Sequence, residues 1–537
     1  MSQTQFSPRI RIERIELQNF KGVKGGIVEF NCLKTPVEKD TCSDILGIYG
    51  QNGSGKTTLL EALHVAKLAM MGKEIPFDRF GNAIAQGADS ARISIVFQVS
   101  NPDNSFYHLE YAFSLVVLQF LGSETKSYIK TSDGRKGIAA AMGGAMLLPA
   151  ALGAVPGLGL IPAVAGAAGV VATQILQSSE SGKERSSADG TVKLLVIKDE
   201  VLNLSGMFNG LMIRFGPVID TRTEETVFLP KARQKSFFPQ KTASVMKELQ
   251  KYKNRTQYNS KSFIFGDDLS QLLLEQETIT EYAQIIMDLK AFAIQKLLVL
   301  DTKVIGASGQ EIIPLYTANC RIGVRKSDST TFLNEKGLQM LQTALKGLSV
   351  VLKQLIPGMT LEAVRQVDID LDDERNTRVR SKGTKVLVYT VRDNVRIPIA
   401  EESAGIIRLI SIIGLLSYAF ANQNVTVAID EIDAGVYEYL LGELLLVFEE
   451  YGSGQLIFTC HNLRPMEVLN KKYIYFTTTN SENRYLKPKS IRNENNLRDV
   501  YLREIVMGGQ EEELYSAAKH GKLASAFQKA GEIIGQE

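Results

Sequence analysis

The chain has 537 residues, 44% hydrophobic and 22% charged, the composition of a soluble globular protein with material for at least one large core. A net charge of +2 says nothing by itself about partners, so a nucleic-acid or membrane role must rest on local clusters. Four cysteines without a CxxC pair and only four histidines speak against a zinc site and against an HNH-type nuclease centre in this chain; with no apolar signal core over residues 1–17, the expected location is the reducing cytoplasm.

Residues 9–17 and 26–30 read as two short strands, with Asn19-Phe20-Lys21-Gly22 between them. An apolar strand over 44–49 runs directly into Gly50. Leu59, Leu60, Leu63, Ala66 and Leu68 then give a helical stripe over 57–71. Residues 91–100 and 107–118 read as paired strands around the turn Asn101-Pro102-Asp103-Asn104. From Gly137 to Ser179 no residue is charged, and Pro149, Pro156, Pro162 and many glycines argue against one straight helix. Three readings of this run stay open: a membrane hairpin, a Gly/Ala-rich element buried at a protein interface, or a loosely ordered insert. An interface or a conditional membrane contact is favoured over a constitutive span.

Strands are expected again at 191–204 and 211–219, and 237–300 reads as mostly helical. An amphipathic helix over 337–355 is stopped by Pro357-Gly358. Strands follow at 361–371 and 386–392. Helix 405–420, strand 425–429, helix 436–451 and strand 455–460 read as a βαβ half-sheet. Neither an internal repeat nor a sustained heptad is visible, so a long coiled-coil arm is not expected.

The motifs fall on this frame. Gly50-Gln51-Asn52-Gly53-Ser54-Gly55-Lys56-Thr57 matches G-x-x-x-x-G-K-[ST] between a strand and a helix. Its glycines let backbone N–H groups turn towards phosphates at a helix N-terminus, Lys56 reaches the β- and γ-phosphates, and the Thr57 hydroxyl suits Mg2+. Thr58 completes the candidate nucleotide-binding set. The strand Val425–Ile429 ends in Asp430-Glu431, a carboxylate pair at a sheet edge: Asp430 suits Mg2+, and Glu431 suits polarising an attacking water as general base. One strand later the chain reaches His461-Asn462, and His461 is placed to sense a γ-phosphate. Before the acidic strand, Glu401-Glu402-Ser403-Ala404-Gly405-Ile406-Ile407-Arg408 opens an apolar helix, so Ser403 and Gly405 form a second candidate anion site.

This order of phosphate loop, Ser-x-Gly signature, Asp-Glu strand and strand-tip histidine resembles an ABC-type ATPase of the SMC-like and RecF-like branch, which includes OLD-like members of the AAA family. The resemblance covers residues 9–71 and about 383–480. It implies an α/β fold, an ABC-type P-loop NTPase head with a mixed sheet and a largely helical middle insertion. Its implied cofactors are ATP and Mg2+. It further implies an ATP-dependent homodimer or higher oligomer, in which Lys56, Thr57, Asp430, Glu431 and His461 act in cis while Ser403 and Gly405 act in trans. The stretch Ser-Ala-Gly-Ile-Ile departs from the fuller Leu-Ser-Gly-Gly-Gln pattern, Ile432-Asp433-Ala434-Gly435 stands where the dimer-contacting loop lies, and Gln98 and Gln119 are candidates for the Q-loop glutamine. Expected domains are 1–130 and 361–490 as the two parts of the head, 131–190 as the apolar insert, 191–360 as the middle insertion and 491–537 as a helical tail.

The overall layout is most similar to the retron-associated and Septu-type ATPases of anti-phage systems, which work with a separate HNH nuclease. The expected role is therefore a dimerising ATPase switch that controls an effector. An SMC/RecF-like ATPase acting directly on DNA in repair or chromosome maintenance is the alternative, and an ATPase of a membrane-associated system is a third. DNA or an RNA–DNA hybrid is expected, if anywhere, between Lys231 and Lys261. There Lys231, Arg233, Lys235, Lys241, Lys247, Lys251, Lys253, Arg255 and Lys261 face one acidic residue, Glu248, with Phe237, Phe238, Tyr252 and Tyr258 interleaved. A solvated helical face is the equal alternative. The smaller cluster Arg378, Arg380, Lys382 and Lys385 reads as a solvated hairpin tip.

Overall fold

The computed structural model describes residues 8–30, 44–101, 105–121, 191–222, 236–239, 242–256, 260–276, 278–301, 312–316, 321–325, 327–372, 380–488, 496–507, 512–515 and 520–534. The chain opens on a hairpin. β1 (Arg9–Phe20) buries Ile10, Ile12, Ile15, Leu17 and Phe20, and a bulge at Ile12/Arg14 accounts for the phase change in that row. β2 (Val23–Glu29) pairs with it antiparallel. The turn is tighter than the sequence indicates, because Phe20 still pairs with Val23 and only Lys21 and Gly22 lie between them.

β3 (Asp44–Tyr49), buried at every position, feeds α1 (Lys56–Met70) through the glycine-rich loop. After the short α2 (Phe77–Phe80) come β4 (Ala91–Ser100), β5 (Phe106–Leu121), β6 (Thr191–Phe208) and β7 (Leu211–Asp220). With the first hairpin these strands make one antiparallel sheet in the order β2-β1-β4-β5-β6-β7, so the strands of residues 191–220 continue the sheet begun by the N-terminal hairpin. The apolar run from Gly137 to Ser179 lies outside the described residues.

Helices α3 (Thr242–Thr256), α4 (Asp267–Leu274) and α5 (Glu281–Gln295) follow. The expected helical stretch stops short of residue 300, because Leu297–Leu300 is a strand, β8, set by its pairing beside the buried strand over 426–429 and not by its Leu-rich composition. Next come β9 (Ile312–Tyr316), β10 (Arg321–Arg325), β11 (Thr330–Leu333), α6 (Glu335–Leu355), β12 (Thr360–Asp372), β13 (Arg380–Arg392) and β14 (Val395–Pro398). Asn334 caps α6 by accepting from the Gly337 amide. The remainder is α7 (Ala404–Ala421), β15 (Thr426–Ile429), α8 (Glu438–Tyr451), β16 (Gln455–Thr459), α9 (Arg464–Val468), β17 (Ile474–Thr477), β18 (Tyr485–Leu486), α10 (Leu497–Met507) and α11 (His520–Ile534).

The second large sheet runs β18-β17-β3-β16-β15-β8, and its strands β17, β3, β16, β15 and β8 are parallel. Buried parallel strands need cover on both faces. Leu46, Ile48, Ala428 and Ile457 share a core with α1, α5 and the inner face of the antiparallel sheet. Ile45, Val427, Ile429, Leu456 and Phe458 share another with α7, α8 and α10. A third core joins α6, β9–β13 and the other flank of α7. α7 therefore lies between two cores, which explains why its sequence is apolar nearly all round. It is the one helix among the described residues long and apolar enough to cross a membrane, and its burial marks it as a core helix. Two buried links seat β1 on the parallel sheet: Arg11 Nη1 to Asp44 at 2.6 Å, and Gln455, whose amide both accepts from and donates to the Ile12 backbone.

Candidate nucleotide site

All five parallel strands deliver their carboxyl ends to one edge, the place where ligands bind in open α/β sheets. Gly50 follows β3 with φ +154°, and a Cβ there would stand 1.7 Å from Thr477 Oγ1. Only glycine fits. Gly53 and Gly55 also have positive φ, at +76° and +92°. Gly55 is the N-cap of α1 and gives it no side-chain cap, so the first N–H groups of the helix stay available at its positive end. The loop is braced from behind: Ser54 Oγ donates to the Gln51 carbonyl at 2.6 Å and meets Thr477 Oγ1 at 2.5 Å, and the Tyr485 hydroxyl donates to the Gly55 carbonyl at 2.8 Å. Asn52 and Gly53 are exposed at its crest, while Thr58 is buried beneath it.

Lys56 is 6% exposed and donates to the carbonyls of Gly50 and Gln51 at 2.8 and 2.9 Å. Burial lowers its pKa from the ordinary lysine value, and the charges of Asp430, Glu431 and Asp433 oppose that shift. Thr57 Oγ1 donates to Asp430 Oδ1 at 3.1 Å, and Thr459 Oγ1 donates to the same oxygen at 2.7 Å. Asp430 is 1% exposed. A hydroxyl and a carboxylate side by side form a hard-oxygen donor pair, which suits Mg2+ carried on a nucleotide.

Glu431 turns the chain out of β15 with φ +46°, an uncommon conformation for a residue with a side chain. Its amide donates to Thr459 Oγ1 at 2.7 Å, so one threonine holds both carboxylate residues. His461 lies exposed just past β16, and its amide and that of Asn462 donate to Asp433 Oδ2 at 3.0 and 2.8 Å. Asp433 thus ties the turn after the acidic pair to the histidine turn.

Ser403 is the exposed N-cap of α7, and its hydroxyl accepts from the Ile406 amide at 3.3 Å. Just before it, Glu402 accepts from Thr390 at 2.6 Å and from Arg392 at 3.0 Å, which anchors the start of the helix to β13. A Cβ on Gly405 would stand 2.5 Å from the Gly435 carbonyl oxygen. Arg408, buried in α7, donates to the Asp430 carbonyl.

The structure therefore brings Lys56, Thr57, Asp430 and Glu431 to one sheet edge, and it joins Gly405 to the loop after Glu431. Gln98 and Gln119 lie elsewhere, both within strands of the antiparallel sheet. Sequence reading missed Thr459, Thr477 and Arg408, and placed Asp433 only in the dimer-contacting loop. Arg408 had a signal, as the lone charge in the apolar span of α7; Thr459 and Thr477 are ordinary polar residues at strand ends.

The stretch from Lys231 to Lys261 is corrected in part. Phe237 and Phe238 are 1% and 0% exposed and sit in the core, as does Tyr252 in part, so these rings are unavailable for stacking on bases. Lys253 is buried. Lys247 and Lys251 are exposed on α3, while Lys231, Arg233, Lys235, Lys241 and Tyr258 lie outside the described residues. β12 and β13 do form the expected hairpin, whose tip with Arg378 also lies outside them.

A family model described as an AAA domain matches residues 14–293, just over half of the chain and inclusive of the whole phosphate loop. The chain belongs to the AAA domain family. Its fold is α/β, with the phosphate loop at the carboxyl edge of a parallel sheet. The acidic strand tip at Asp430 lies beyond the matched stretch of the AAA domain, so its place in the site rests on geometry. Among solved structures, the chain is similar to the Smc head domain with an extended coiled coil bound to the C-terminal domain of ScpA, from Pyrococcus furiosus. That match has 12% identity, covers 89% of this chain and 96% of that one, and has a TM-score of 0.33. For the SMC head domain from Thermotoga maritima the values are 11%, 89%, 100% and 0.32. For the recombination mediator protein RecF with ATP they are 11%, 86%, 94% and 0.31. No curated protein matches the sequence.

Proposed function

We propose that this chain binds and hydrolyses ATP as a switch that dimerises on ATP and controls a separate effector, a nuclease of the HNH kind, in cytoplasmic anti-phage defence. The observation that carries the chemistry is the convergence of Lys56, the Thr57–Asp430 pair and Glu431 at the carboxyl edge of the parallel sheet. Lys56 and the free amides at the start of α1 take the phosphates, Thr57 and Asp430 hold Mg2+, and Glu431 takes a proton from the attacking water. Mg2+ held there would supply charge neutralisation for the phosphates. His461 orients the γ-phosphate from the next strand tip. Ser403 and the N-terminus of α7 are exposed, as a group serving the nucleotide of a second copy must be. The effector half of the reading is supported by the sequence layout, a head with a rich middle insertion and no sustained heptad pattern.

A second reading, direct action on DNA, is favoured by Lys247 and Lys251, which present a basic face on α3. Two experiments test the first reading. Light scattering of Glu431→Gln with ATP should show a dimer that persists, whereas parental protein returns to monomer as ATP is consumed; a Glu431→Gln protein that turns over ATP at the parental rate defeats the assignment of the base. In infected cells carrying the chain with its neighbouring genes, Lys56→Ala should abolish protection, and unchanged plaque counts would overturn the defence role.

A further inference from the structure

α7 carries one charged residue in its apolar span, and that residue is buried. A guanidinium is costly to bury unless hydrogen bonds hold it, and Arg408 finds them outside its own helix. Its Nη2 donates to the Asp430 carbonyl at 2.5 Å and reaches the Glu431 carbonyl at 3.4 Å. Those two carbonyls bracket the left-handed residue Glu431. A parallel contact runs from Gly405, which packs so closely on Gly435 that no side chain fits between them. The helix that presents Ser403 at its exposed end is thus joined twice to the loop that carries Glu431. Ser403 and Arg408 are less than two helical turns apart, too short a length to flex appreciably.

We propose that Arg408 is a positioning residue that couples the two ATP sites of the dimer. The proposal rests on the reading in which Ser403 serves the partner's nucleotide. When the partner's γ-phosphate engages the N-terminus of α7, Arg408 passes that displacement to the Asp430–Glu431 peptide of the same head. The Glu431 carboxylate is then set for the water on that head's own ATP. Each head hydrolyses fully only after its signature has met nucleotide across the interface, so occupancy of one site raises turnover at the other. Lysine at this position keeps a charge and a donor but not the planar fork, and methionine keeps only the bulk.

The test uses full-length Arg408→Met and Arg408→Lys. ATP affinity is read with a fluorescent analogue, ATP-driven dimerisation by light scattering in the Glu431→Gln background, and turnover across a range of ATP concentrations. Affinity and dimer formation should stay near parental, while kcat falls about ten- to hundredfold in Arg408→Met, the effect of losing a buried charged hydrogen bond, and partly recovers in Arg408→Lys. The parent should show a sigmoidal ATP dependence, and Arg408→Met a hyperbolic one. Parental kcat and sigmoidicity in folded Arg408→Met overturn the coupling, as does a parent whose ATP dependence is already hyperbolic. Loss of ATP-driven dimerisation also overturns it, because Arg408 would then only hold α7 in place. If Arg408→Met does not fold, Arg408→Lys carries the same readings. Failure of the underlying composite site shows separately: mixed dimers of Ser403→Arg and Lys56→Ala subunits would then recover no activity, whatever Arg408 does.

Discussion

Thr57 and Asp430 are separated by 373 residues in the chain, and their side chains meet at 3.1 Å. One stands in the first turn of α1 and the other at the tip of β15, two strands from β3, so the pair exists only because β16 lies between those strands in the parallel sheet. Thr459, at the end of that intervening strand, donates to the same Asp430 oxygen.

If this pair holds Mg2+ on the nucleotide, Thr57→Ala should retain binding of a fluorescent ATP analogue in EDTA but gain far less affinity than the parent when Mg2+ is added. Lys56→Ala should lose binding under both conditions, since the buried cation opposite the phosphates is gone. Equal Mg2+ enhancement in Thr57→Ala and parent would remove Thr57 from the metal site.

Glu431, the proposed general base, stands at a backbone position that favours glycine. Replacing it by glycine removes a left-handed strain of about 1 kcal/mol and adds about as much chain entropy to the unfolded state, so the two effects nearly cancel. Glu431→Gly should therefore unfold in urea within about 1 kcal/mol of the parent while losing hydrolysis. A drop of several kcal/mol would mean that the carboxylate holds the fold as well.

The sequence made the elements of the site legible, because each is local: a loop of fixed spacing between strand and helix, an apolar strand ending in Asp-Glu, and Ser403 capping an apolar helix. It hid what depends on the order of strands. β8 is four residues long and continues a helical run, so nothing local marks it as the neighbour of β15. Phe237 and Phe238 look alike in sequence whether they stack on bases or fill a core, and the antiparallel sheet that buries them is assembled from strands scattered over residues 9–220. Gln98 belongs to that sheet and not to the nucleotide edge for the same reason.

Gly405 gives a test of the contact between α7 and the loop after Glu431. In Gly405→Ala the new Cβ would meet the Gly435 carbonyl at 2.5 Å, and both partners are backbone, so one must move. Turnover should fall with little change in ATP affinity, because the phosphate loop is untouched. Gly347→Ala in α6, where a Cβ meets nothing within 4 Å, is the control. It should keep full activity and gain about 0.5–1 kcal/mol of stability from helix propensity. Parental turnover in Gly405→Ala would show that the close approach has no bearing on the chemistry.

The basic face of α3 decides between the two functional readings. Lys247 and Lys251 are exposed one helical turn apart and can both reach a phosphate backbone, whereas Lys253 is 6% exposed and its replacement would test stability instead. Changing Lys247 and Lys251 to Gln should leave ATPase activity without nucleic acid near parental, because neither residue touches the nucleotide edge. If the face binds DNA or an RNA–DNA hybrid, anisotropy across a salt series should show weaker binding, most clearly at low salt. The slope of log affinity against log salt should drop by about two, one unit for each phosphate that a lysine no longer neutralises. Unchanged affinity and slope for both ligands would mean that α3 presents a solvated face. Direct action on DNA would then lose the observation that favours it, and the effector-controlling switch would stand on the nucleotide edge and the sequence layout.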